Sequence, residues 1–195
     1  MSRPAARIKG SVVRALLEWY RVTEGSTAYA RVFDGLTSAE RAELGGDAQE
    51  ILAGAWYDAR IVHKVLENVF GDLDEAKRRS FARDAARQGM RPLRTGIYHF
   101  VAQQILSPRL YARHVQWLFR LLHDTGERRI EMGDHEALSI TGNWAGHHPI
   151  LCLLVQETTA ALFETLGCKD VTVEPLRCVA DGHRDCRCTL RWTGE

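Results

Sequence analysis

Between Ser11 and Tyr20 the apolar residues Val12, Val13, Leu16, Leu17 and Tyr20 return every three or four positions, the spacing that lines one face of an α-helix. Gly10 precedes this helix and Gly25 is expected to end it. Thr37-Ser-Ala-Glu40 has the spacing of a capping box and predicts a short helix through Leu44, broken by Gly45-Gly46. Asp58 is placed to cap a helix with Ile61, Val62, Val65, Leu66, Val69 and Phe70 on one side, closed by Gly71. A charge-rich helix is expected over 72–88, then an apolar, more deeply buried segment over 98–106 after Gly89 and Pro92. Ser107-Pro108 puts a cap before proline at a first helical position, with Tyr111, Val115, Leu118 and Leu122 turned inward.

The period then falls from about 3.6 to 2. Ile130 and Met132 alternate with Arg129 and Glu131, and Leu138 and Ile140 with Ser139 and Thr141, around a turn at Gly133-Asp134. Pro149 opens a further helix that Gly167 stops. Val171 and Val173 begin a third strand, Asp181-Gly182 turns the chain, and Cys186, Cys188, Leu190 and Trp192 alternate with Arg187, Thr189 and Arg191 in a fourth. Two hairpins around one helix, preceded by helices, predict an α+β fold: a helical N-terminal layer packed on a four-stranded antiparallel sheet. No repeat or linker interrupts the chain, so residues 1–195 are expected to form a single domain.

Composition removes several function classes. The 195 residues are 45% hydrophobic and 26% charged with a formal net charge of +1, ordinary for a globular chain and without the basic excess of a nucleic-acid binder. Apolar runs are too short for a membrane span, and the positive start Met1-Ser-Arg-Pro lacks a following apolar signal region, so a cytoplasmic location is expected. Lysine occurs only at Lys9, Lys64, Lys77 and Lys169, the arginine bias of a GC-rich bacterial source.

All five cysteines, Cys152, Cys168, Cys178, Cys186 and Cys188, lie in the last quarter. In a reducing compartment they read as buried thiols, a metal site or a reactive thiol rather than a disulfide framework. Cys186 and Cys188 share a strand face with Leu190 and Trp192, and Cys152 sits in an apolar helix, which favours small buried hydrophobes. Yet a turn centred on Gly182 sets Cys178 opposite Cys186, about 4.5–5.5 Å apart at Cβ, and Cys152 is available from the preceding helix. Glu174, His183, His147 and His148 are then the candidates for a fourth ligand. His148, four residues before Cys152, also suggests a Cys-His nucleophile pair near a helix N-terminus. Trp56-Tyr57 and Trp144 read as plugs of the helix-to-sheet layer. Lys77-Arg78-Arg79 with Arg83, Arg87, Arg91 and Arg94 reads as a solvated basic face.

Cys178-Val-Ala-Asp-Gly-His-Arg-Asp-Cys186, a Cys-x3-Gly-x3-Cys hairpin, together with Cys152, resembles the 4-vinyl-reductase domain and its relatives. These are the effector domains of phenol-sensing activators, the haem-NO-binding domains and the transport-particle subunits. Lys9-Gly10 with its helix, and Ser107-Pro108 through Asp124-Thr-Gly126, also look like a set of myxobacterial proteins of similar length. The resemblance implies a ligand-binding fold that dimerises and senses rather than catalyses. In the phenol sensors three cysteines hold a structural zinc with a glutamate three residues before the middle cysteine. Pro175 stands at that position here and Glu174 one step earlier, so the implied metal set is Cys152, Cys178, Cys186 and Glu174. The haem-NO-binding branch holds its haem with an axial histidine and a Tyr-x-Ser-x-Arg clasp. Tyr111-Ala-Arg113-His114 carries only fragments of that clasp, so haem is not expected.

The expected function is a non-catalytic sensory or adaptor module, a homodimer that binds a small apolar ligand or a protein partner and carries structural zinc. Nucleic acid is not an expected partner. The competing class is a thiol- or metal-dependent enzyme using Cys152 with His148.

Overall fold

The computed structural model describes residues 5–45, 51–91 and 107–194. Strand β1 (Arg7–Lys9) leads into helix α1 (Gly10–Arg31), followed by α2 (Ser38–Glu43), β2 (Trp56–Asp58), α3 (Ala59–Phe70) and α4 (Glu75–Gly89). Helix α5 (Pro108–Leu122) precedes the hairpin β3 (Glu127–Met132) and β4 (Glu136–Gly142). Then come α6 (Pro149–Thr165), β5 (Thr172–Arg177), a 3-10 turn (Val179–Asp181) and β6 (Asp185–Arg191). The expected buried segment over 98–106 lies outside the described residues. No helix among those described is long and apolar enough to cross a membrane.

The expected caps are present. Thr37 accepts from the Glu40 amide while Glu40 accepts from the Thr37 amide, Asp58 accepts from the Arg60 amide, and Ser107 accepts from the Leu110 amide. Each relieves a helix of an unpaired N–H. Gly25 does not end α1. It kinks the helix at φ 85°, and helical backbone resumes as far as Arg31. Sequence reading also missed β1 and β2, which pair antiparallel from Arg7 opposite Asp58 to Lys9 opposite Trp56. Three-residue strands are too short to display a period.

The main sheet has the order β3-β4-β6-β5, antiparallel throughout, as the alternation predicts for an α+β fold. Helix α6 packs on β5 and β6, α5 runs along β3, and α3 and α4 pack on α6, so the N-terminal layer meets the sheet chiefly through α6. One apolar cluster joins Leu17, Val65, Phe70 and Leu151 to Cys152 and Cys186; a second gathers Ile130, Phe163, Cys188, Leu190 and Trp192. Tyr57 and Trp144 are buried plugs, as expected. The basic face of α4 is a correction. Arg79 and Arg83 reach the fully buried Glu157 of α6 at 3.5 and 3.0 Å, and Arg87 makes a two-pronged contact with Glu164, so half of that face is an interface.

Candidate metal centre

Four side chains converge where the start of α6 meets the last hairpin. Pro149 occupies the first turn of α6 and His148 caps it, its Nδ1 accepting from the Ile150 amide at 3.3 Å. That places His147 just outside the helix and Cys152 in its first full turn. Strand β5 ends at Arg177, which pairs with Arg187 after a register shift, so Cys178 enters the turn opposite Cys186. Gly182 closes the turn at φ 85°, a left-handed conformation glycine adopts without strain.

The ligand atoms of His147, Cys152, Cys178 and Cys186 all lie within 4.8 Å of one another. His147 Nε2 is 3.2 Å from Cys178 Sγ, and the Cys178 and Cys186 sulfurs are 3.3 Å apart. The Val179 amide donates to Cys186 at 3.3 Å and Gln156 Nε2 to Cys152 at 3.4 Å. Cys152 and Cys186 are buried; Cys178 and His147 are half-buried. Three thiols and an imidazole at this separation supply the number and kind of donors that a tetrahedral metal ion takes, with N–H groups supporting two of the sulfurs.

Proton sharing follows from the same geometry. Hydrogen bonding from Cys152 draws the Cys186 thiol down to about 4, against the opposing effect of burial and with help from His147 and the Val179 amide. Cys178 is lowered to about 7, again first by Cys152. Cys152, donating to both, is raised. Burial pulls His147 down, but hydrogen bonds and the charge of Cys186 and Cys178 outweigh it and leave the imidazole raised. The metal-free centre therefore holds thiolate at neutral pH, next to a proton on Cys152 that a cation would displace.

Glu174 is not part of this group. It pairs with Thr189 on the opposite face of the sheet from Cys186 and Cys188, and its Oε2 accepts from Arg191 at 2.6 Å. Successive strand residues point to opposite faces, and this one points away. His147 stands in the fourth position, while the exposed His183 lies in the turn. The Cys152–His148 pair is not formed either. His148 spends Nδ1 on the Ile150 amide and places Nε2 3.3 Å from Glu67, with the His63 ring 4.8 Å from its own. Cys168 and Cys188 are core thiols, the latter pushed up to about 11 by burial. The supporting Gln156 amide was missed; its spacing of four from Cys152 on one helix was the available signal.

No protein-family model and no curated protein matches this sequence. The fold, however, matches solved structures over nearly their whole length. The chain is similar to an H-NOX protein from K. algicida in the Fe(II) unliganded state, with 10% identity, a TM-score of 0.67, and 96% of this chain and 98% of that one covered. It is also similar to an H-NOX protein from S. oneidensis in the Fe(II)NO state, with 10% identity, a TM-score of 0.65, and 96% and 100% covered. A mutant of an S. oneidensis H-NOX protein in the Fe(II) state gives 9% identity and a TM-score of 0.66 over 96% and 97%. The chain thus has the haem-NO-binding fold.

That likeness corrects the cofactor expectation of zinc with haem set aside. The structures sharing this fold include Fe(II) and Fe(II)NO forms, and one concerns haem distortion in the H-NOX family, so haem can no longer be set aside in favour of zinc. One groove among the described residues, of about 520 Å³, is lined by Gln116, Glu127, Arg128, Arg129, Ile140, Gly142, Asn143, Arg184 and Asp185; it has no histidine, cysteine, tyrosine or methionine to serve as an axial ligand, so this groove does not fit a haem. The same lining is mainly charged, whereas the sequence points to a small apolar ligand.

Proposed function

We propose that this chain is a non-catalytic sensory module on the haem-NO-binding fold, in which Cys152, Cys178, Cys186 and His147 hold one thiophilic metal ion. The single observation that carries this is the gathering of four ligand atoms within 4.8 Å from three separate elements. A bound ion would supply the positive charge that lets three adjacent sulfurs ionise together. The chain's own residues do the rest. His147 and Cys152 anchor the ion to the start of α6, Cys178 and Cys186 anchor it to the last hairpin, and Gln156 and the Val179 amide hold two sulfurs in place. Occupancy then sets how firmly α6 is tied to the sheet, a change a partner protein can read. A cytoplasmic homodimer acting as one domain, with a small ligand in the charged groove, completes the reading.

Native and denaturing mass spectra of protein purified without chelator test it, together with elemental analysis. One metal ion per chain, lost in Cys152→Ala with the fold retained, is the expected result. Cobalt(II) is the probe if the purified protein is metal-free: a tetrahedral thiolate site gives intense visible and near-ultraviolet bands. Failure to bind cobalt(II) overturns the metal reading. A haem mass accompanied by a Soret band moves the sensing chemistry from the thiol centre to a haem, and the dimer is read from the same spectra.

A further inference from the structure

Helix α5 is amphipathic twice over. At about 100° of rotation per residue, Pro108, Val115 and Phe119 fall on one arc and are buried against the sheet and α6. Trp117 falls almost opposite them and is 62% exposed, with Leu121 beside it at 46%. The half-buried Leu110 continues this apolar strip about two turns toward the N-terminus. On the other flank of Trp117 lie Arg109, Arg113 and Arg120. The helix contains no acidic residue to balance them. Arg113 and Arg120 make no ion pair among the described residues, and Arg109 has the 98% exposed Asp134 at 3.7 Å and the Gly133 carbonyl at 3.4 Å. By contrast Arg79, Arg83 and Arg87 of α4 are committed to Glu157 and Glu164.

A tryptophan turned directly away from the core contributes nothing to folding that a polar residue would not. Tryptophan flanked by arginine is also the composition that concentrates binding energy at protein interfaces. We propose that the outward face of α5 is a docking surface for an acidic amphipathic helix of a partner protein. Its apolar side chains cover Leu110, Trp117 and Leu121, and its carboxylates meet Arg109, Arg113 and Arg120. Charge fixes the choice of occupant: a like helix of this chain would set arginine against arginine, whereas carboxylates meet a row in which Arg113 and Arg120 have no acidic partner among the described residues. The surface does not involve the thiol centre, so it stands or falls separately from the metal reading.

The test is binding of the full chain to a labelled synthetic helix of leucine and glutamate at helical spacing, with the leucine and lysine counterpart as control. Saturable binding of the acidic helix alone is expected, weakening as salt screens the charges. Trp117→Ala should weaken it roughly tenfold or more, the loss expected of an anchor residue. Arg113→Glu with Arg120→Glu should abolish it and transfer binding to the lysine helix. All three residues are exposed, so these variants keep their fold, which circular dichroism checks. Equal binding of both helices, no binding, or no effect of the variants overturns the proposal. So does a preference for phosphatidylglycerol vesicles over the acidic helix, or self-association of the wild type that Trp117→Ala abolishes.

Discussion

The sulfurs of Cys178 and Cys186 face each other across the last hairpin at 3.3 Å, although the register of β5 against β6 up to Pro175 would miss that pairing by one residue. The shift between Pro175 and Arg177 brings the two thiols opposite one another. With a depressed Cys186 thiol beside a Cys178 near neutrality, the metal-free pair is poised for oxidation. Treating metal-free protein with diamide should lower its mass by two hydrogens, and both Cys178→Ser and prior loading with cobalt(II) should block the change. Peptide mapping that finds the bond elsewhere, or no protection by metal, counts against the shared site.

Metal affinity should depend on pH with a definite sign. At neutral pH Cys186 is ionised, Cys178 is near its midpoint and Cys152 keeps its proton, while the neighbouring sulfurs raise His147. Binding releases protons, so the apparent Kd should rise as pH falls from 8 to 6, by roughly tenfold per unit for each proton released. Chelator competition across that range measures it. A flat profile is incompatible with three thiolates and an imidazole as ligands.

The metal-free protein should show a matching stability signature. Cys186 has a folded value of about 4 against an ordinary thiol value of 9.0. A depressed acid adds stability above its unfolded value and loses it as pH falls through the folded one. The Tm difference between wild type and Cys186→Ser in chelator should therefore be largest near pH 9 and shrink steadily toward pH 4. His147 acts oppositely, adding stability below its ordinary value and losing it as pH rises through the raised one. Because Cys186 is the chief group raising His147, Cys186→Ser removes part of that opposing contribution too, and the comparison reads the thiol together with its imidazole neighbour.

The four strands of the main sheet, their antiparallel pairing, the caps at Thr37, Asp58 and Ser107, and three of the four converging residues were legible in the sequence because each is set by local chemistry, whereas β1 and β2 were too short to show a period. The fourth was not. His147 and Glu174 are both near the cysteines in sequence, and only the side of the sheet on which a strand presents its residues separates them. The zinc-sensor pattern puts its glutamate where Pro175 stands, so Glu174 one step earlier was the nearest acid, and alternation along β5 sends it to solvent beside Arg191. The Arg79–Glu157–Arg83 contact was hidden for a related reason: more than seventy residues separate its partners, and no periodicity reports which charged face meets which.

That contact yields an asymmetric prediction. The Glu157 side chain is fully buried, whereas Arg79 and Arg83 are 28% and 39% exposed. Removing both arginines strands a carboxylate in the core and should cost about 3–5 kcal/mol, the usual penalty of an unpaired buried charge. Glu157→Leu leaves two arginines that can turn to water and should cost far less. Urea unfolding of the three proteins decides it, and equal losses would show that the pair itself, rather than desolvation of Glu157, governs the joint between α4 and α6.

Gly126 offers a test of the packing behind the metal centre. It adopts φ 107°, and a Cβ there would lie 2.8 Å from Phe119 Cε1 and 3.2 Å from the Trp144 side chain. Those two rings pack against each other at 5.2 Å between centroids, and Trp144 in turn packs edge-on against His147 at 5.5 Å. Alanine at this position brings both backbone strain and a clash that neither ring can relieve without moving the other, so Gly126→Ala should destabilise by about 2–4 kcal/mol. Because Trp144 supports His147, the same substitution should weaken cobalt(II) binding and alter its ligand-field bands. The exposed glycine Gly89, which meets nothing within 4 Å, is the control. Replacing it with alanine in a helix should leave the metal spectrum unchanged and stabilise the fold slightly. A Gly126→Ala protein with wild-type stability and an unaltered cobalt(II) spectrum would separate the aromatic cluster from the metal centre.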